Sequence, residues 1–231
     1  GPGEYLAFLG RIAPEKRPDR AIDIARRTGI PLKIAAKVDP ADRKYFHREI
    51  EPLLRESADV VEVIGEIGEA QKAEFLGKAK ALLFPIDWPE PFGLVMIESL
   101  ACGTPVIAYP RGSVPEVLRH GRTGFLVESQ EEAAEAVRRI GELDRAECRR
   151  AFEERFSARR MASDYLRVYR QVLARHAGRS AVRDPALPAL VPAADVLLGP
   201  PPGGPPGVLG ISTAFLTGRR GDDSAALGGS A

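Results

Sequence analysis

The chain has 231 residues, 44% of them hydrophobic and 28% charged, enough for one good core and a tail. A formal net charge of +1 gives no global electrostatic case for nucleic acid or a membrane surface as partner. Two cysteines are too few for a disulfide scaffold, no apolar run approaches the roughly 18 residues of an integral membrane segment, and Gly1-Pro2-Gly3-Glu4 lacks the basic and apolar character of a targeting segment, so the expected location is cytoplasmic.

Taken along the chain, strand-like and helix-like runs alternate. A strand at 5–9 precedes a helix at 18–27 with Ala21, Ile24 and Ala25 on one face, and a strand at 32–36 precedes a helix at 42–55 carrying Phe46, Ile50, Leu53 and Leu54. A strand at 60–64 leads to a helix at 69–79 with Phe75 and Leu76, then to a short buried strand at 81–84. A helix at 93–101 is stopped by Cys102-Gly103-Thr104-Pro105, because Gly and Pro end helical patterns. Strands at 106–109 and 125–127 follow, then helices at 131–140, 144–156 and 157–176 with mixed charge on their exposed sides. The alternation predicts an α/β fold, a doubly wound parallel sheet of about six strands followed by carboxy-terminal helices.

From 180 onward Gly, Pro and Ala supply 26 of 52 residues, centred on Pro200-Pro201-Pro202-Gly203-Gly204-Pro205-Pro206. Such a composition cannot bury enough apolar surface to offset the entropy of ordering. The expected organisation is therefore a folded α/β domain at 1–177 and a disordered tail at 178–231, and Asp222-Asp223 within the tail is not read as a metal site.

The stretch from Glu90 to Glu98, Glu-Pro-Phe-Gly-Leu-Val-Met-Ile-Glu, sets two carboxylates eight positions apart where a strand gives way to a helix. It lies at a carboxyl strand end, where open parallel sheets bind ligands and helix amino termini offer unpaired N–H groups to phosphate. Like charges repel, so each glutamate must face hydroxyls instead of oxyanions. Glu98 sits about 7.5 Å up the helix from Gly93 and flanks the stripe of Leu94, Ile97 and Ala101; ribose hydroxyls would supply the donors it needs. Glu90 precedes the helix, in position to accept from a hexose. Gly93 suits a close approach of backbone to ligand.

These residues resemble the E-x7-E signature of retaining glycosyltransferases of the GT-B fold, family 4 in particular. The resemblance runs in register from about Gly3 to His176, through Gly10-Arg11-Ile12-Ala13-Pro14-Glu15-Lys16, the glutamate motif, Gly103-Thr104-Pro105-Val106-Ile107-Ala108 and Gly121-Arg122-Thr123-Gly124-Phe125-Leu126-Val127. It implies that this is the Rossmann-like donor half of such an enzyme. Catalytic roles would fall to Arg11 and Lys16, pairing with the donor diphosphate, and to Glu90 on the transferred sugar. Glu98 would hold the ribose, and Gly10 with the backbone N–H groups of Phe92, Gly93 and Leu94 would receive phosphate and sugar oxygens. The loop at Gly65-Glu66-Ile67 is the expected contact with the base. The resemblance further implies a nucleoside-diphosphate sugar as donor substrate, no metal or other cofactor, retention of anomeric configuration, an acceptor of unknown identity, and an amino-terminal GT-B domain preceding the first strand, without which transfer is not expected from this chain.

Plainer readings stand beside these. Glu98 alone is a solvated helix residue, Arg11 and Lys16 next to Glu15, Arg17 and Asp19 are a surface charge run, and Trp88 either walls the sugar pocket or covers the sheet end. His47, His120 and His176 show no nucleophile or metal spacing, with His120 placed at a helix carboxyl terminus, and Cys102 reads as a small core residue. The alternative functions are a non-catalytic nucleotide-sugar-binding module and a sugar-nucleotide epimerase of GT-B-like fold.

Overall fold

The computed structural model describes residues 3–177; the 178–231 tail and Asp222-Asp223 lie outside them. Six parallel strands form one sheet in the order β3-β2-β1-β4-β5-β6: β1 (Tyr5–Arg11), β2 (Leu32–Lys37), β3 (Val61–Val63), β4 (Ala79–Phe84), β5 (Val106–Ala108) and β6 (Gly124–Leu126). The alternation of side chains along a strand divides the core between the sheet's two faces. Leu6, Phe8, Leu32, Ile34, Ala81, Leu83, Ile107 and Phe125 are buried on one face, together with Ala21, Ile24 and Ala25 of α1 (Pro18–Thr28) and Ala133 and Val137 of α7 (Gln130–Arg138). Tyr5, Ala7, Leu82, Phe84, Val106 and Ala108 are buried on the other, with Phe75 and Leu76 of α4 (Glu69–Gly77), Met96 and Leu100 of α5 (Leu94–Ala101), and Cys148 of α8 (Arg145–Arg155). Each such Leu, Ile or Phe removed from water stabilises the fold by about 1.5–3 kcal/mol.

The predicted helix at 42–55 consists of α2 (Arg43–Tyr45), a π-helical segment over Phe46–Ile50, and α3 (Glu51–Glu56). The helix predicted to reach residue 79 ends at Gly77, because the fully buried Ala79 pairs with Tyr5 and opens β4. A one-turn helix, α6 (Val114–Val117), lay below the resolution of sequence periodicity. His120 is not in a helix: it bridges to Gly124, and its Nδ1 accepts the Leu126 N–H at 3.1 Å. Residues 158–177 form a unit of their own, the helix α9 (Ala158–Ala177), braced along its surface by Asp164, which pairs with Arg160 and Arg167 at 2.8 Å each. Among the described residues, no helix is long and apolar enough to cross a membrane.

Strand order runs outward in both directions from the β1/β4 pair, so the chain leaves β1 to one side of the sheet and β4 to the other. The loops that follow these strands diverge and leave a crevice at their carboxyl ends, the usual ligand position in an open α/β sheet.

Candidate functional site

A cavity of about 190 Å³ opens at that crevice, lined by Phe8, Leu9 and Gly10 from the end of β1, Lys16 from the turn after it, Phe84 and Ile86 from the end of β4, and Glu90, Gly93, Leu94 and Val95. Of the residues singled out in the sequence, the structure brings together Gly10, Lys16, Glu90, Gly93 and Leu94 around one space. Arg11, Phe92, Glu98 and Ile67 do not line it.

The Lys16 side of the cavity is built by a tight turn. After β1 the chain makes a single 3-10 turn, Pro14–Lys16, and leaves it through Arg17 in the left-handed conformation at φ 52°, the only non-glycine residue with positive φ among the described residues. Such a backbone costs of order 1 kcal/mol. It is offset by what Arg17 reaches: both oxygens of Asp19 at 2.7–3.1 Å and Asp87 at 3.0 Å. Hydrogen bonding to Asp19, ahead of the charge of Asp87, holds the Arg17 pKa above its ordinary value. Arg20 also bonds Asp87, at 3.1 Å, and the Pro85 carbonyl, at 3.2 Å, while the Asp87 N–H donates to the Glu15 carbonyl at 2.9 Å. The turn carrying Lys16 and the loop carrying Trp88 and Glu90 are thereby stitched together.

Across that seam the Lys16 ammonium donates to Oε2 of Glu90 at 2.6 Å, and the Trp88 indole N–H donates to the same oxygen at 3.0 Å. The ammonium also lies 5.0 Å from the Trp88 ring centroid and 5.7 Å from that of Phe84. Glu90 is only 9% exposed, and a carboxylate so placed requires such donors. Trp88 is not among the cavity-lining residues; its contacts are with the two charged groups that are. The Glu90 backbone is fixed from behind, where the Ser113 N–H donates to its carbonyl at 2.8 Å. Gly112, at φ 58°, packs so closely there that a Cβ would fall 2.3–2.4 Å from Glu90 main-chain atoms.

The third wall is the amino terminus of α5. Gly93 caps it at φ 74°, a conformation that favours glycine, and a Cβ there would also press the Met96 methyl at 2.5 Å out of its place. The first-turn N–H groups of Leu94 and Val95 have no helical acceptor and belong to residues that face the cavity. At Gly10 an added Cβ would meet nothing within 4 Å, so the missing side chain leaves the cavity floor open.

Glu98 lies farther along α5, where its Oε1 accepts from Lys72 of α4 at 3.1 Å; Lys72 also pairs with Glu69 at 2.6 Å. Ile67 is partly buried against the core on that side of the sheet. Arg11, 44% exposed in its side chain, is engaged by Glu15 at 2.5 Å, Asp39 at 3.5 Å and Asp42 at 3.7 Å, and the hydrogen bond to Glu15 foremost raises its pKa. Phe92, 42% exposed, stands edge-to-face with Phe156 at 6.3 Å. Cys102 is partly buried against the core, not within it, and burial lifts its thiol to about 11. Among the described residues, no group of three or more His, Cys, Asp or Glu is placed to hold a metal ion. Sequence reasoning missed Arg17, Arg20, Lys72, Asp87 and Gly112; only the Pro85, Pro89 and Pro91 spacing signalled a stiff loop there.

Comparison with known proteins gives this geometry a family. D-inositol 3-phosphate glycosyltransferase of Streptomyces scabiei is 37% identical over 139 residues, covering 56% of this chain and 31% of that protein. Among solved structures, AviGT4, a glycosyltransferase involved in avilamycin A biosynthesis, superposes with a TM-score of 0.61 at 28% identity over 74% of this chain and 52% of its own. Anabaena Alr3699/HepE in complex with UDP-glucose shares the fold, with a TM-score of 0.65 at 17% identity over 73% of this chain and 49% of its own. The chain thus spans about a third to a half of the length of these proteins. The family model described as glycosyl transferases group 1 matches residues 2–158, the whole sheet with its crevice, and the chain belongs to that family.

Proposed function

We propose that this domain binds a nucleoside-diphosphate sugar in the β1/β4 crevice and forms the donor half of a retaining glycosyltransferase that requires no metal. The observation that carries the reading is the convergence of one ammonium, one carboxylate and one helix amino terminus on a single cavity at the switch point of the sheet. Lys16 and the α5 N–H groups stabilise negative charge as the bond between the anomeric carbon and the phosphate oxygen breaks and the electron pair leaves with the diphosphate. Glu90 accepts from hydroxyls of the sugar, and Glu98 and Ile67 mark the direction of the ribose and base. Donor binding then competes with pairs already made, since Lys16 must share its protons between Glu90 and phosphate, and Arg11 must turn from Glu15 to reach it.

A cavity of about 190 Å³ is small beside the roughly 300–1,000 Å³ of sites that enclose ligands of this size. The acceptor and the remaining walls are therefore assigned to a second, amino-terminal domain of the GT-B type. That Alr3699/HepE was solved with UDP-glucose supports a nucleotide sugar as the ligand class.

Thermal-shift measurements with UDP, GDP, ADP and their sugars, with and without EDTA, test the reading. One nucleoside diphosphate is expected to raise Tm equally in both conditions, because a ligand held by the folded state stabilises it by mass action. No shift with any of them would sink the proposal. Epimerised donor appearing without an acceptor would instead identify an epimerase.

A further inference from the structure

Trp88 contacts both charged residues of the cavity without lining it. Its N–H and the Lys16 ammonium converge on one oxygen of Glu90, Oε2, and the same ring stands beneath the ammonium at 5.0 Å. Two donors on Oε2 fix the carboxylate's rotation, and Oε1 is left without a protein donor among the described residues. A cation over an aromatic face is held by the ring quadrupole, and indole offers the strongest face of the natural side chains. The ring itself has little freedom, because it sits in the loop between Pro85 and Pro89 that Arg17 and Arg20 bind through Asp87.

We infer that Trp88 is a positioning residue that determines sugar recognition: by holding Oε2 through its N–H it presents Oε1 of Glu90 to hydroxyls of the donor sugar, and by supporting Lys16 with its ring it keeps the ammonium at the diphosphate. The two halves of the residue serve the two halves of the donor. This inference rests on the donor-binding reading above, and extends it to a residue that does not itself touch the ligand.

The division can be tested by calorimetry on the whole chain with UDP and UDP-glucose, or with the GDP or ADP pair if the thermal-shift series selects that base. Trp88→Phe keeps a ring and loses the N–H; it is expected to lower the preference for UDP-glucose over UDP about 3- to 10-fold, less than the roughly 10- to 100-fold of a whole hydrogen bond to a charged group, because Lys16 still holds the same oxygen. Trp88→Leu loses both and is expected to weaken both ligands. An unchanged preference in Trp88→Phe overturns the inference. So does a Trp88→Phe variant that loses UDP as severely as Trp88→Leu, since the ring would then have no separate part. A wild-type chain that binds none of UDP, GDP, ADP and their sugars removes the donor reading itself, and this inference with it.

A spectroscopic measurement needs no ligand. Trp88 is the chain's single tryptophan, so its emission reports this contact alone. Lys16→Met and Glu90→Gln, which respectively remove the cation over the ring and weaken the acceptor of its N–H, are each expected to shift or dequench that emission in the folded protein. Spectra identical to wild type in both variants would overturn the geometry on which the inference stands.

Discussion

Two ends of one short motif are held in place by different means. Glu90 sits in a loop, and its position depends on residues distant in sequence: Lys16, 74 positions earlier, and the backbone of Gly112 and Ser113 behind it. Glu98 rides on α5, whose own hydrogen bonds place it, and Lys72 is its one ionic partner among the described residues. A loop carboxylate needs scaffolding for geometry, whereas a helix carboxylate needs a neighbour only for charge. The sugar end of the proposed donor site should therefore be fragile and the ribose end robust.

The largest test of that contrast is Gly112→Ala. A non-glycine residue at φ 58° costs about 1–3 kcal/mol, and the added Cβ cannot coexist with Glu90 main-chain atoms 2.3–2.4 Å away. The loop must move, taking Glu90 from Lys16 and Trp88. Thermal melting should fall by several degrees, and calorimetry should show the preference for a nucleotide sugar over its nucleoside diphosphate abolished, with nucleoside diphosphate still bound. A variant that melts and discriminates like wild type would show that Glu90 does not depend on this scaffold.

Next come Lys16→Ala and Glu98→Ala, each removing a charge-assisted bond to the donor worth roughly 1.5–3 kcal/mol, or about 10- to 100-fold in affinity. The pair separates the two ends through stability. Lys16→Ala leaves Glu90, 9% exposed, with Trp88 as its only side-chain donor among the described residues, so Tm should drop along with affinity. Glu98 has a side chain 26% exposed, and its removal should cost affinity with little change in Tm. Full affinity in both variants would mean that the donor lies elsewhere.

The same contrast explains what could be read from the sequence. All six strands and the helix of the glutamate motif were legible because their signals are local: short apolar runs, amphipathic spacing, and the Gly and Pro that end them. The carboxyl-end location of the motif followed, and with it the meeting of Gly10, Lys16, Glu90, Gly93 and Leu94. The partners that neutralise each charge were not legible. Lys16 with Glu90, Lys72 with Glu98 and Arg17 with Asp87 are 74, 26 and 70 positions apart, and nothing in the sequence near either member names the other. Gly112 resembles an ordinary turn glycine until the backbone it abuts is known. Arg11 shows the opposite limit. The resemblance gave it the donor diphosphate, but at the end of β1 it pairs with Glu15, Asp39 and Asp42 instead of lining the cavity.

The smallest effect is expected from Lys72→Met, which keeps most of the stem's length and removes the charge. Burial pulls the Lys72 pKa down most strongly, yet the hydrogen bonds it donates to Glu69 and Glu98, with their charges, outweigh it, and the net shift is upward from 10.5. A raised lysine contributes stability that is fully present below its unfolded value and lost as pH rises through its folded one. Wild type should therefore lose an increment of stability above about pH 10.5 that Lys72→Met never had, and the two melting profiles should converge there. At neutral pH the substitution leaves Glu98 on its helix with its charge uncompensated, which repels the diphosphate without displacing the carboxylate; affinity should fall only about 2- to 10-fold. A loss as deep as that of Lys16→Ala would show that Glu98, too, is held by its partner and not by its helix, and the distinction between the two ends would be gone.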